Sequence, residues 1–323
     1  MAKSIYCVTL NPCLDKTLTV PEWTPGQNVR GTAIREVVGG KGNNVARALK
    51  GLGQSAIPVT FLGGATGLHC VALRREADGL LPVIIDSHAE TRTILTVRTG
   101  ASADQTAFFD PNPQISEGES ERLIKTISNL LENRQILALT LSGSSPCSST
   151  DRIFGECVQL ARLHQVPVLL DSYGSAVSGL GRSVPNVLQM NQHELSGLMG
   201  KSVGTLSEEE ILHWLSDWSK NGLGIGVVTR GPDPALAVYD SEFFRIIPPD
   251  IEVVNPIGSG DCFLAGMTMG VIDGLSAHDH LQFAAACAVG NALTWDAGAI
   301  DIGAVKSCVS QVKVESICRL NRE

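Results

Sequence analysis

The sequence predicts an α/β fold: a mostly parallel sheet with helices on both faces, carrying a second, smaller sheet. Two observations carry this reading. Short β-prone runs alternate with amphipathic helical runs along most of the 323 residues, which is the pattern of repeated βα units. Two stretches, 12–38 and 91–110, break that alternation and read as strand pairs.

The elements follow in order. "SIYCVTL" at the start is a strand. "NNVARALKGLG" follows as a helix, with Val45, Ala46, Leu49 and Leu52 on one face and Gly53 at its stop. "AIPVTFLGG" is a strand and "LHCVALRREADG" a helix. "ILALTLSG" is a strand that runs into the loop "SSPCSSTD". "RIFGECVQLARLHQ" is a helix with Ile153, Cys157, Leu160 and Ala161 in phase, and "VPVLLDSYG" is a strand ending on Asp171. "VLQMNQHELSGLMG" reads as a short strand and then a helix. In "LSEEEILHWLSDWSKNG", Ser207 and Glu210 form a capping box before an amphipathic helix, and "GIGVVTRG" is the next strand. "NPIGSGD" then opens the helical run "CFLAGMTMGVI".

In the interruptions, strand pieces flank "TPGQ", and residues 91–110 form a hairpin with Gly100 near its turn. Four strand pieces make a sheet too small to bury its own face, so the main body or a second subunit must cover it. The expected division is a body of residues 1–11, 39–90 and 111–323, with a β lid of residues 12–38 and 91–110.

Composition narrows the function. The net charge is −8 and no basic block is present, which excludes a nucleic-acid groove built on clustered Lys and Arg. Nine scattered cysteines with no CxxC pair read as reduced thiols of a cytosolic protein. The first residues are too short and too poorly flanked for a secretory signal. No apolar run reaches the roughly 18 residues of a membrane span. A cytoplasmic protein that takes a small molecule is expected.

Parallel sheets place ligands at the carboxyl ends of their strands, where Asp171, Gly231 and the "SGSS" loop fall. Several constellations there can carry chemistry. Glycines 39, 40 and 42, then Asn43 and Asn44, precede a helix whose first N–H groups are free for an anion or a hydroxyl-rich ligand; the same residues also serve as a plain glycine turn with an Asn cap. Asp15 follows the first strand, where a carboxylate accepts two sugar hydroxyls or is simply a loop acid. Arg30 and Arg92 lie one in each insertion; together on one cleft they would clamp a phosphate, and singly each is a solvated strand charge. Asn191 and Glu194 stand three apart on a helix, an oxygen pair that suits Mg²⁺ through retained waters or caps the helix. Ser259, Gly260 and Asp261 open a helix whose N–H groups and dipole meet charge on a transferred phosphoryl group. Asp261 then accepts the proton of the attacking hydroxyl. The dipole is expected to hold its pKa down, making it a weak base that acts late. Read blandly, Asp261 is only an acid in a first helical turn. A dinucleotide-dependent oxidoreductase lacks its fingerprint, because position 263 is Phe where GxGxxG needs Gly.

Taken in order, "TLNPCLDKT", "GGKGNNVARAL", "FLGG", "ETR", "LSGSSP", "LLDSYG", "MNQHEL" and "NPIGSGDCFLAG" resemble the ribokinase/PfkB superfamily of carbohydrate kinases. The nearest resemblance is to its 1-phosphofructokinase and tagatose-6-phosphate kinase branch, over about residues 4 to 300. The resemblance implies a ribokinase-like three-layer α/β/α Rossmann-like body with a small β-sheet lid, often shared across a homodimer. It implies transfer of the γ-phosphoryl group of ATP, with Mg²⁺, to a phosphorylated ketohexose: fructose 1-phosphate, tagatose 6-phosphate or fructose 6-phosphate. Asp261 matches the catalytic base, and Gly258, Ser259 and Gly260 the anion hole. Asp15, Gly40, Lys41 and Asn44 match sugar-site positions, and Arg30 and Arg92, helped by Ser144, those that hold the substrate's own phosphate. Asn191 and Glu194 match the metal-organising NxxE, and Thr229, Gly231 and Asn291 fall where the family lines its nucleotide pocket.

The chain departs from the family pattern on the phosphoryl-donor side. Gln189-Met190-Asn191 stands where KPN is usual, Pro256 replaces a Thr, Pro234 replaces the second glycine after Gly231, and "SGSSPCS" replaces "SGSLPPG". A kinase for an unphosphorylated sugar or nucleoside, and a non-catalytic sugar-phosphate binder, are the alternatives these changes keep open.

Overall fold

The structure, a computed structural model, describes residues 3–99, 105–202 and 204–317. The expected turn at Gly100 lies outside the described residues. The strands are β1 (Ser4–Thr9), β2 (Cys13–Val20), β3 (Ala33–Gly39), β4 (Ala56–Leu62), β5 (Val83–Asp86), β6 (Arg92–Thr99), β7 (Gln105–Phe109), β8 (Ile136–Ser142), β9 (Val168–Asp171), β10 (Val187–Asn191), β11 (Ile225–Arg230), β12 (Asp233–Tyr239), β13 (Glu242–Ile247) and β14 (Lys313–Ile317). The helices are α1 (Lys41–Gly51), α2 (Gly64–Leu73), α3 (Glu117–Glu132), α4 (Ile153–Leu163), α5 (Ser175–Ser178), α6 (Gln192–Leu198), α7 (Glu208–Lys220), α8 (Ser259–Asp273), α9 (Ala277–Ala292) and α10 (Ile302–Val309).

Ten strands form one sheet in the order β14-β13-β12-β11-β10-β9-β8-β1-β4-β5. From β5 to β11 every pairing is parallel; β12, β13 and β14 add antiparallel strands at one edge. One face carries a core with Leu123, Ile127, Phe154, Cys157 and Ile211 from α3, α4 and α7. The other carries a core with Val45, Leu49, Leu264, Met267, Leu281 and Val305 from α1, α8, α9 and α10. This is the expected three-layer α/β/α body. Helix α8 is buried on nearly every side from Asp261 to Gly270, which explains why its sequence is apolar all round.

The two interruptions supply the second sheet, in the order β3-β2-β6-β7. Cys13 at its base pairs with both Gly39 and Arg92. The first turn of α1 therefore starts where the small sheet leaves the body. Gly42 allows this closeness: a Cβ there would overlap the Thr9 hydroxyl and lie 2.7 Å from the Val8 carbonyl oxygen. Backbone cannot yield as a side chain can, so Gly42→Ala is expected to cost about 1–3 kcal/mol, read as a lower denaturation midpoint.

Candidate active site

Asp261 lies in the first turn of α8 and is 5% exposed. Gly258 before it takes φ +88°, and a Cβ there would press on Ala297 and Gly298 at 3.0 Å, so the turn needs glycine for conformation and for space. Asn291 braces this turn from behind. Its Nδ2 donates to the Ile257 carbonyl at 2.8 Å and to Ser259 Oγ at 3.1 Å, and its Oδ1 accepts from the Gly298 N–H at 2.8 Å. Gln189 Nε2 donates to the Gly260 carbonyl at 2.7 Å. The N–H groups of Gly260 and Asp261 fall in the first helical turn, where no intrahelical acceptor exists.

The Asp261 carboxyl is pushed up to about 7, chiefly by burial and then by the charge of Asp171. Lys41 and a 2.7 Å hydrogen bond from Asn44 Nδ2 pull the other way without cancelling the rise. The helix dipole alone predicts a low value; desolvation and a neighbouring acid outweigh it. The Asp261 carboxyl therefore takes up a proton far more readily than its place at a helix start alone predicts.

Lys41 opens α1 and joins the acids. Its Nζ donates to Asp171 Oδ1 at 2.9 Å and to Glu194 Oε1 at 2.7 Å, 5.5 Å from the centre of the Tyr173 ring. Burial disfavours the ammonium, but Asp171, Glu194 and Asp261 together hold its pKa above the ordinary lysine range. Glu194 is pushed up by burial and by Asp171. Three carboxyls therefore share one ammonium at the carboxyl ends of β9 and β10.

Arg92 stands at the base of the small sheet, paired with Cys13. Its Nη2 reaches the Asn11 carbonyl at 3.3 Å and its Nη1 Asn112 Oδ1 at 3.4 Å, both long, while Nε has no partner. Asn11 Nδ2 donates to Asn112 Oδ1 at 2.9 Å and to Ser144 Oγ at 3.2 Å. Ser144 follows Gly143, where a Cβ would touch Lys41 at 3.8 Å. Arg92 is thus linked through Asn11 to the Gly143–Ser144 turn, which lies close to the Lys41 stem, while Lys41 acts on Asp261 through its charge. Gly40 sits at the head of α1 with φ +104°. Asp15 lines a cleft of about 660 Å³ between the small sheet and the body, with Arg35, Arg98, Val254 and Trp295; burial pushes its carboxyl up.

Arg30 is not brought to this cleft. It is exposed in the loop between β2 and β3, and the seven residues of β3 put roughly 20 Å of strand between that loop and Gly39. Asn291, which the resemblance puts on the nucleotide pocket, instead lies behind the turn, 1% exposed. Its oxygen and nitrogen are both used by backbone, so it shapes the turn and does not line the cavity.

A cavity of about 1110 Å³ on the other side of Pro256 is lined by Asn191, Thr229, Gly231, Ser259, Gly260 and Phe263, among others. Asn191 caps α6: its Oδ1 accepts from the Glu194 N–H, and its own N–H donates to Glu194 Oε2, both at 2.9 Å. Glu194 thereby reaches Lys41 with one oxygen and the cap with the other. Among the described residues no group of three or more His, Cys, Asp or Glu is arranged to hold a metal directly.

The sequence places Asp171 at the ligand end of a strand without giving it a role, and singles out neither Asn11 nor Asn112. Asn11 follows β1, Asn112 sits in the "PNP" stretch after β7 and Asp171 ends β9; what marks them is their bonding to partners far along the chain, Asn11 to Asn112 and Asp171 to Lys41, which one chain's spacing does not display.

A parallel body, a small sheet rising from the carboxyl ends of its strands, and an acid-bearing glycine turn facing a second cavity define a ribokinase-like kinase. Residues 8–295 match the model of the pfkB family carbohydrate kinases. The chain belongs to that family. The tetrameric inhibited form of Escherichia coli phosphofructokinase-2 superposes with a TM-score of 0.84 at 26% identity, covering 96% of this chain and 99% of that one. The same enzyme in complex with fructose-6-phosphate gives 0.82 at 25% identity, with the same coverage. A possible 1-phosphofructokinase of Thermotoga maritima gives 0.85 at 22% identity, covering 97% and 99%, a likeness that speaks to the fold.

Proposed function

We propose that this kinase transfers the γ-phosphoryl group of ATP to a hydroxyl of a phosphorylated ketohexose, either fructose 1-phosphate, tagatose 6-phosphate or fructose 6-phosphate. The observation that carries the reading is the contrast between the two ends of the candidate site. At one end Asp261 is a buried base near neutral pH. At the other, Arg92 has an unpartnered Nε and only long contacts on its other nitrogens, which leaves its fork for a phosphate. The relative solved with fructose-6-phosphate supports that class of acceptor.

In this reading Asp15 and Asn44 orient sugar hydroxyls, and Asp261 takes the proton of the attacking one. The Gly258–Gly260 turn meets the developing phosphoryl charge with first-turn N–H groups. Lys41 keeps the neighbouring acids from repelling the incoming phosphates. Gln189 contributes no cation, so Lys41 carries that role alone. Thr229 and Gly231 belong to the nucleotide cavity. Mg²⁺ would be held through waters by Asn191 and Glu194, because Lys41 and the Asn191 N–H already occupy the two oxygens of Glu194. When bound, the ion neutralises charge on the phosphate oxygens.

The small sheet, from residues 12–38 and 91–110, serves as a lid on the body of residues 1–11, 39–90 and 111–323. Its pairing puts Leu18, Ile34 and Val97 in line, and Leu95 beside Phe108. Ile34 and Phe108 are 57% and 53% exposed. A second copy covers this face, giving a homodimer in which Arg30 serves the partner's cleft. The enzyme works in the cytoplasm; among the described residues no helix is long and apolar enough to cross a membrane.

Release of ADP on mixing enzyme, ATP and Mg²⁺ with each ketohexose phosphate, and with the free ketohexoses, tests the reading. At least one phosphorylated sugar is expected to be preferred over its free form by about 100-fold in kcat/KM. Equal rates on the free sugars would reassign the acceptor, and no ADP from any of them would favour a non-catalytic binder.

A further inference from the structure

Arg47 lies on α1 one helical step past Asn44 and borders the cleft, where a guanidinium invites assignment as a phosphate ligand. Its bonds argue otherwise. Nε donates to Asp78 Oδ1 at 2.8 Å. Nη2 donates to Asp78 Oδ2 at 3.0 Å and to the Val38 carbonyl at 3.1 Å. Nη1 donates to Asn44 Oδ1 at 3.0 Å and to the Ala297 carbonyl at 2.8 Å. A guanidinium has five N–H donors, and all five are used inside the protein. Arg92, with donors to spare, is its opposite.

We propose that Arg47, clamped by Asp78, is the positioning residue that sets the orientation of Asn44 and so the proton affinity of Asp261. An amide can present either end. Because Arg47 claims Asn44 Oδ1, Asn44 must turn Nδ2 to Asp261 Oδ2, at 2.7 Å. A donor on that carboxylate favours its ionised form. The Ala297 bond adds a second route: Ala297 packs on Gly258, and the next residue, Gly298, donates to Asn291 behind the turn. The hub joins the base of the small sheet at Val38, the sugar side at Asn44 and the phosphoryl turn. The bidentate hold on Asp78 needs the planar fork, so lysine does not replace it.

The other groups facing Asp261 are Lys41 from α1, Asp171 from β9, Glu194 from α6 and the adjacent Cys262; none of them touches Arg47 by a hydrogen bond. The inference rests on Asp261 being the base, and Asp261→Asn serves as the control for that reading. The test is the pH profile of kcat/KM for Arg47→Lys, Arg47→Met, Asn44→Ala and the double variant Arg47→Met/Asn44→Ala, each first checked for wild-type folding by thermal melting. With Arg47 removed, the acid limb is expected to move up by about one pH unit. Activity then falls about tenfold at pH 6.5 and recovers toward pH 9. Asn44→Ala is expected to give the same shift, and the double variant no further shift. Asn44→Ala also lowers kcat/KM at every pH by its lost sugar contact, so the shift of the limb is what is compared; a uniform loss without a shift in the Arg47 variants, or additive shifts, overturns the inference. If Arg47→Met does not fold, Asp78→Asn with Arg47→Lys gives the same reading. If Asp261→Asn itself keeps its activity, the assignment of the base has failed instead.

Discussion

Asp261→Asn is expected to lower kcat by about 10³-fold while binding of the acceptor sugar phosphate changes little. Positioned proton transfer contributes roughly 10²–10⁴, and the amide keeps the shape of the side chain without accepting a proton. The same change is expected to stabilise the protein. A carboxyl whose folded pKa, here about 7, lies above its ordinary 3.8 binds protons better when folded. Its presence therefore costs nothing below pH 4, and the cost grows as pH rises, reaching its limit above about 7. Removing the charge should recover on the order of 1–4 kcal/mol at pH 8 and little at pH 4. Slower turnover with a higher melting temperature at pH 8 distinguishes a base held in a costly environment from a structural acid, whose loss would lower both. Wild-type activity should rise through an apparent pKa near 7, a value that belongs to Asp261 together with the neighbouring Glu194 carboxyl.

Arg92→Met is expected to weaken acceptor binding by about 10²-fold or more, and to erase the preference for a phosphorylated sugar. Removing one member of a charge-assisted bidentate contact costs about 2–5 kcal/mol, and each 1.4 kcal/mol is tenfold. The methionine keeps the apolar stem on β6, so the register with Cys13 should survive. Calorimetry with a ketose phosphate and the matching free ketose reads this directly. The phosphorylated ligand should lose affinity and the free ketose should not. An equal loss for both would mean that Arg92 supports the strand and does not meet the phosphate.

How far the sequence speaks depends on the range over which a cause acts. Capping boxes at Ser207 and Asn191, and the helical face of Val45, Ala46 and Leu49, are local and were legible. So were the strand pieces that make the small sheet. The antiparallel edge was not. The turn from β12 to β13 is Asp240–Ser241 with φ of 46° and 70°, a tight hairpin built without glycine, so the usual hairpin signal is missing. β14 pairs with β13 across α8, α9 and α10, which no local pattern announces. The helix expected over Leu68–Gly79 instead runs from Gly64 to Leu73 and continues as a wider π turn over Arg74–Asp78, which places Asp78 against Arg47.

At the site, residue types were legible and their state was not. The dipole at Asp261 is a one-turn effect and can be read locally; the burial of this first turn of α8 and its proximity to Asp171, ninety residues earlier, are tertiary. Lys41 and Asp171 are 130 residues apart, so their ion pair leaves no trace in spacing. Arg30 and Arg92 look equivalent as charges on two inserted ribbons, yet one stands at the base of the small sheet and the other at its far end.

The most direct test is a calorimetric titration of the preferred ketose phosphate into Asp261→Asn, and into the same protein carrying Arg92→Met as well. Near-wild-type affinity in the first and a loss of two orders of magnitude in the second are predicted. Binding already lost in the single variant, or unchanged in the double, would contradict an acceptor gripped at its phosphate by Arg92 while its hydroxyl faces Asp261.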